Sequence, residues 1–166
     1  MSQSYVSLNF LPKSKFRIDL VEGVTKTNFF SLCYGALTTI GLLTFISYAT
    51  TYVLIENLEY QRESIGTIVG DLQVVAEIAL LMVFLPVGLI ADKIGRRQVY
   101  SFGMAAMGLS YFLYPLATGI GELTVYRVIY AIGMGAATGM LGTVNADYPQ
   151  DRTRGKMLAV TGILNA

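Results

Sequence analysis

The stretch Gly88-Leu89-Ile90-Ala91-Asp92-Lys93-Ile94-Gly95-Arg96-Arg97 joins two long apolar segments of the sequence, at about residues 66–91 and 98–118. As a helix, each segment is long enough to cross the roughly 30 Å hydrocarbon core of a bilayer. Charges and glycines packed so closely between two such segments indicate a tight hairpin between membrane-spanning helices. The hairpin therefore predicts a membrane fold.

Composition supports this interpretation and limits the chemistry. Of 166 residues, 54% are hydrophobic and only 14% are charged, which is too apolar for an ordinary soluble domain of this length. Cys33 is the single cysteine and there is no histidine, which argues against a disulfide framework, a thiolate metal site and the usual general base. We therefore predict no enzyme activity, no metal and no cofactor. The basic first 28 residues lack the apolar core and cleavage site of a signal peptide.

We predict an all-α integral membrane protein with four transmembrane helices and the start of a fifth. Residues 1–28 are predicted to be a cytoplasmic tail, either solvated or carrying a short interfacial helix, and residues 29–166 the transmembrane domain. The predicted spans lie at about 29–55, 66–91, 98–118, 122–146 and, in part, 157–166. Ten residues of helix reach about 15 Å, half of the hydrocarbon core. A truncated fifth span is favoured over a segment that folds back at the interface.

The distribution of basic residues sets the orientation. With the amino terminus inside, the inner segments hold ten lysines and arginines and the outer connectors hold only Arg62. Cytoplasmic loops are enriched in these residues, so we expect a cytoplasmic amino terminus. The expected location is a cell membrane, of the bacterial inner-membrane kind, with the chain crossing it several times.

Three ionisable residues fall within predicted spans and are candidate functional groups, because a charge there is costly unless paired or neutralised. Asp71 and Arg127 each lie about 7 Å below the outer surface, where they either pair or extend to the interface. Glu77 lies about 16 Å deep, near the midplane. Such a carboxyl group either takes up and releases a proton during transport or stays protonated and bonded to a neighbouring helix.

The hairpin resembles the signature loop of the major facilitator superfamily, Gly-x-(Leu/Ile)-Ala-Asp-(Arg/Lys)-x-Gly-Arg-(Arg/Lys), with eight matching positions. The resemblance implies that this loop forms charge pairs that latch the inner gate. Asp147, at the inner end of the fourth span, is an expected partner of Arg96. The alternative is that the arginines only fix topology. The residues expected to form this gating motif are Gly88, Asp92, Lys93, Gly95, Arg96, Arg97 and Asp147.

A second stretch, Arg127-x-x-x-Ala131-x-Gly133-x-Gly135-Ala136-Ala137, resembles the fourth-span motif of the same family. It departs from that motif at Ala131, where glycine is common. In proton-coupled members the arginine takes part in coupling, so the resemblance implies this role for Arg127. On a helix, Ala131, Gly135 and Gly139 lie on roughly one face, which would let another helix approach closely.

The resemblance implies the first part of a protein with twelve spans in two halves. We therefore expect the amino-terminal portion of a secondary transporter that moves a small solute by alternating access, with proton coupling favoured. Its expected partners are membrane lipids, an unknown small molecule, H+ and a missing carboxy-terminal half, but not nucleic acid. Without that half, this polypeptide should not transport. The alternative is a small multi-span adaptor or scaffold protein. An integral-membrane enzyme is not expected, because the sequence shows no nucleophile–base set.

Overall fold

A computed structural model describes residues 7–9 and 17–164 of the chain. Two short strands precede five helices, and the bounds are β1 Ser7–Asn9, β2 Arg17–Asp19, α1 Lys26–Tyr52, α2 Arg62–Ile94, α3 Arg96–Leu113, α4 Ile120–Asp147 and α5 Arg154–Leu164. A π-helical turn, Val53–Asn57, extends α1. Single 3₁₀ turns follow α3 and precede α5.

Three segments within the described residues are long and apolar enough to cross a bilayer: Lys26–Asn57, Arg62–Ile94 and Ile120–Asp147. Their faces that point out of the protein carry large apolar side chains, among them Leu81, Met82 and Leu85 on α2. Such a surface suits lipid better than water. The chain is therefore a helical, multi-pass membrane protein, while the number of spans stays a prediction.

The helices divide into two compact units, of which the larger is Gly41–Met140. Its core gathers side chains from α1, α2, α3 and α4, and some of its most buried members are Leu54, Leu72, Met107, Tyr114 and Leu123. These residues recur on one side of each helix, so the apolar residues left on the other side face outward.

Within this unit, α3 and α4 are in close backbone contact at Gly103 and Gly133. A Cβ built on Gly133 would lie 2.7 Å from the Gly103 carbonyl oxygen and 2.8 Å from the Met107 nitrogen. The face expected to admit another helix, from Ala131, Gly135 and Gly139, is a different face of α4. On that face α2 lies close to Gly135, where the Leu80 side chain would be 3.0 Å from an added Cβ, whereas an added Cβ at Gly139 meets no atom within 4 Å.

The smaller unit contains the chain up to Ile40 and from Leu141 onward. Here the all-α prediction is wrong, because β1 and β2 pair as antiparallel strands with Leu8 opposite Ile18. Ile18 and Leu20 are fully buried in a cluster with Phe29 and Met157. Ile18 and Leu20, two residues apart, share this cluster, as expected of a strand, since successive side chains of a strand point to opposite faces.

The chain just after β2 also pairs with the loop that follows α4. The Val21 nitrogen donates to the Tyr148 carbonyl at 2.9 Å, and the Gln150 nitrogen donates to the Asp19 carbonyl at 2.9 Å. The Thr153 hydroxyl accepts a hydrogen bond from the Asp19 nitrogen at 3.2 Å. This pairing fixes the segment before α1 against the segment after α4.

An ion pair reinforces this contact. Arg152 donates to an Asp19 carboxylate oxygen at 2.9 Å; the Asp19 side chain is only 6% exposed, whereas that of Arg152 is 79% exposed. A buried carboxylate is unfavourable without a partner, and here a surface guanidinium reaches it while staying hydrated. The charged loop after α4 therefore has a structural role.

Candidate functional site

The site is centred on Arg127 of α4, which is 4% exposed. One guanidinium nitrogen donates to the Gln73 side-chain oxygen at 2.5 Å, and the other terminal nitrogen donates to the Thr50 hydroxyl at 3.4 Å. The Tyr130 ring, about one turn further along α4, has its centroid 5.6 Å from the guanidinium carbon. A single buried cation thus links α1, α2 and α4.

Gln73 extends the network to a carboxylate. Its amide nitrogen donates to a Glu77 carboxylate oxygen at 2.6 Å, one turn further along α2. Only this orientation of the amide suits both neighbours, because the guanidinium offers only donors and the carboxylate only acceptors. Gln73 therefore bridges two of the predicted site residues, Glu77 and Arg127.

Sequence reasoning missed Gln73. Gln73 is neutral, whereas the three predicted site residues within the spans are all ionisable. The available signal was its spacing, since Gln73 stands four residues before Glu77 in a stretch of α2 whose only other charged or amide residue is Asp71. Residues four apart on a helix are neighbours, so this polar pair indicated a local network.

Hydroxyl groups close the other side of the site. The Thr50 hydroxyl donates to the Ile46 carbonyl at 2.7 Å, and the fully buried Tyr114 hydroxyl lies 3.3 Å from the same Thr50 oxygen. With its hydrogen used along its own helix, Thr50 can accept from Arg127. These groups hold the guanidinium in place without contributing charge.

The guanidinium is incompletely satisfied. Among the described residues, its hydrogen-bond acceptors are the neutral side chains of Gln73 and Thr50, and its Nε atom is buried without a partner. Buried charges in proteins are usually paired, so this arrangement is unusual. No group of three or more metal-binding side chains occurs in the part of the chain that the structure describes.

Asp71 does not join this network. It is exposed on α2 and lines a cavity of about 110 Å³, whose remaining lining is Ile68, Leu72, Val75, Ile120 and Thr124. The bonds of Arg127 go instead to Gln73 and Thr50. Asp71 and Arg127 each stand five residues into a predicted span, which predicts a common depth but not the face of the helix that each residue occupies.

The hairpin places its charges in solvent. Asp92, Lys93, Arg96 and Arg97 are all exposed, at the end of α2 and the start of α3. Gly95 is the single residue between these helices and has φ +98°, in the left-handed region that favours glycine. The backbone conformation therefore explains why glycine occupies this position of the motif.

Gly88 and Asp147 are the remaining members of the motif. Gly88 lies within α2, and an added Cβ would meet no atom within 4 Å. Asp147 is exposed at the end of α4. Its contact with Arg96 remains a prediction.

Replacement of Gly95 by alanine should destabilise the hairpin by about 1–2 kcal/mol, because a Cβ is strained at positive φ. The expected result is a melting temperature about 2–8 °C lower for the detergent-solubilised chain, measured by circular dichroism. Gly88→Ala, in the same motif but in regular helix with free space, is the matched control and should not lower it. Equal losses in both variants would contradict the backbone explanation.

Comparison with known proteins places these features in a family. The sequence profile of the Major Facilitator Superfamily matches residues 36–166. The magnetosome protein MamH of Paramagnetospirillum magneticum is 30% identical over 117 residues, which cover 66% of this chain and 27% of that protein. No solved structure shows a significant match.

Two further relatives are named as transporters. The inner membrane metabolite transport protein YgcS of Escherichia coli is 27% identical over 165 residues, covering 99% of this chain and 34% of YgcS. The probable inorganic phosphate transporter 1-9 of Arabidopsis thaliana is 25% identical over 114 residues, covering 64% of this chain and 21% of that protein. The chain therefore spans about a third or less of the length of these relatives. Because the family profile covers most of the sequence, including the hairpin and Arg127, this chain belongs to the Major Facilitator Superfamily.

Proposed function

We propose that the chain is the amino-terminal part of a secondary transporter, which moves a small solute by alternating access and is coupled to protons through Glu77. The family match and the relatives named for transport of a metabolite and of inorganic phosphate support a transporter of small solutes. A scaffold protein without transport is not favoured by these relatives. The remaining helices that would enclose the solute belong, in this proposal, to the rest of a longer polypeptide.

The observation that carries the proposal is the hydrogen-bonded chain Glu77–Gln73–Arg127. Glu77 lies near the middle of α2, where a carboxylate needs a proton, water or a cation. When Glu77 takes up a proton, it becomes a weaker acceptor for the Gln73 amide, since charge-assisted hydrogen bonds are the stronger ones. Protonation is thereby transmitted to Arg127 and to the three helices that meet there.

The pairing of Val21 with Tyr148 supports four crossings between them. Two segments joined by backbone hydrogen bonds lie on the same side of a membrane, so the chain between them crosses an even number of times. The three helices that are long and apolar enough would give an odd number. We therefore assign the fourth crossing to α3, whose 18 residues span about 27 Å.

On this topology, the amino terminus and the hairpin share the cytoplasmic side, where basic residues are favoured. The exposed charges of the hairpin can then form and break contacts with water or protein as the inner gate moves. Exposed ion pairs are each worth about 0–1 kcal/mol, so several together suit a reversible latch. Asp147 is the proposed partner of Arg96.

Glu77→Gln should uncouple transport from protons. In proteoliposomes with the full-length transporter, an acid-outside gradient should drive accumulation of one of three labelled probes: inorganic phosphate, glucose or acetate. Glutamine cannot carry a proton, so the variant should lose at least about tenfold in accumulation while still exchanging internal for external probe, which needs no net proton movement. Uptake with and without the gradient measures both quantities.

Glu63→Gln is the matched control, because it makes the same change at an exposed position in the first turn of α2. It should leave accumulation unchanged. Gradient-driven accumulation by the Glu77 variant equal to that of the wild type, or accumulation of none of the probes by the wild type, would count against the proposal. The 166-residue chain alone should show no uptake.

A further inference from the structure

We propose that Arg127 is the binding group for an oxyanion, a carboxylate or phosphate group of the transported solute. The inference rests on the proposed function only in naming the solute as the source of the anion. The site itself follows from the geometry around the guanidinium, which is buried, held by neutral groups and left with one unpartnered nitrogen.

The first step is the charge of the site. Arginine keeps its proton in proteins, so burial cannot neutralise it. Its neighbours among the described residues are an amide, a hydroxyl and an aromatic ring, none of which carries a negative charge. A cation held in this way in a low-dielectric interior attracts an anion strongly. The buried, unpartnered Nε supplies one of the donors that an oxyanion needs.

The second step concerns Glu77, the obvious alternative counterion. Its carboxylate is bonded to the amide nitrogen of Gln73, and the amide oxygen is bonded to Arg127. The whole amide group therefore stands between the two charges. Glu77 influences Arg127 through this bridge but does not occupy a ligand position on the guanidinium.

The third step is access. Gln73 and Glu77 are exposed, so Arg127 lies one side chain below the surface of the larger unit. The Gln73 oxygen, 2.5 Å from the guanidinium nitrogen, occupies the position that an anion oxygen would take. Rotation of one exposed side chain opens this position. An anion with two oxygens could then bind both a terminal nitrogen and Nε in the forked geometry that arginine favours.

The test uses the purified 166-residue chain in detergent, with inorganic phosphate and acetate as probes and sodium chloride added to keep ionic strength constant. Thermal unfolding is followed by circular dichroism. Saturating phosphate or acetate should raise the melting temperature of the wild type by about 3 °C or more, since a ligand that binds only the folded state stabilises it. Arg127→Gln should abolish the shift, and Arg62→Gln, at an exposed position, should retain it.

Gln73→Glu keeps the test decisive even if the Arg127 variant does not fold. It places a carboxylate on the guanidinium, so it should raise the melting temperature without added anion and abolish the anion-induced shift. If Glu77 were already the counterion, a second carboxylate four residues away would instead lower stability through repulsion. A lower melting temperature of Gln73→Glu, no shift in the wild type, or an equal shift in Arg127→Gln would overturn the inference.

Failure of this inference is distinguishable from failure of the proposed function. The melting experiment reads equilibrium binding and needs no transport, whereas the Glu77→Gln experiment reads coupling to protons. An anion-induced shift together with unchanged proton dependence in Glu77→Gln would support the site and reject the coupling. No anion-induced shift, together with loss of the proton dependence in Glu77→Gln, would support the coupling and reject the site.

Discussion

Alanine at position 133 is expected to lower the melting temperature of the detergent-solubilised chain by about 6–12 °C. The added Cβ would lie 2.7 Å from the Gly103 carbonyl oxygen and 2.8 Å from the Met107 nitrogen. Both atoms belong to the backbone of α3, so no rotamer change relieves the overlap, and the two helices must separate. Overpacking of this kind costs up to about 3 kcal/mol, which corresponds to that temperature range for a chain of this size.

The control for this prediction lies on the same helix. An added Cβ at Gly142 meets no atom within 4 Å. Gly142→Ala should leave the melting temperature unchanged or raise it, because alanine favours a helix over glycine by about 1 kcal/mol. Gly103→Ala adds a Cβ to α3 at the same contact between the two helices, 2.7 Å from the Ala137 nitrogen. It should therefore lower the melting temperature about as much as Gly133→Ala. A melting temperature of Gly133→Ala at or above that of the wild type would contradict the geometry.

Arg127→Lys is expected to reduce the initial rate of uptake by the full-length transporter by at least about 100-fold. Lysine keeps the positive charge but lacks the planar fork that reaches Gln73 and Thr50 together. Loss of two hydrogen bonds to a charged group, at about 1.5–3 kcal/mol each, corresponds to a factor of this size or larger. Labelled phosphate, glucose or acetate, whichever the wild type accumulates, measures the rate.

The control is Arg62→Lys, the same change at an exposed position, which should leave the rate unchanged. Melting temperatures of both variants distinguish loss of transport from loss of folding. Uptake by Arg127→Lys within a few-fold of the wild type would indicate that charge alone suffices. The forked geometry would then have no role in the mechanism.

The sequence allowed a feature to be predicted where the residues that form it lie close together in the chain. The hairpin could be predicted because its charges, its glycines and the flanking apolar lengths all lie within one stretch. Arg127 could be singled out because a charge in a long apolar helix is rare in any membrane protein. The sequence left open whether Arg127 is buried and did not identify its partners, since the depth of a residue does not give its direction around the helix.

Contacts between distant parts of the chain could not be predicted from the sequence. Gln73 carries no charge, and its importance arises only because α4 brings Arg127 beside it. Gly133 and Gly135 are two residues apart and equally small, yet they face different helices, α3 and α2. Spacing restricts which residues share a face, but which neighbour that face meets depends on the arrangement of the helices.

The pairing of β2 with the loop after α4 has a consequence for biosynthesis. Asp19 leaves the ribosome 134 residues before Thr153, its hydrogen-bond partner. At about 5–20 residues per second, the nascent chain waits roughly 7–27 s for that partner. Throughout this interval the apolar side chains of Ile18 and Leu20 lack their later neighbour Met157, so a chaperone that shields them during translation would protect the emerging chain from aggregation.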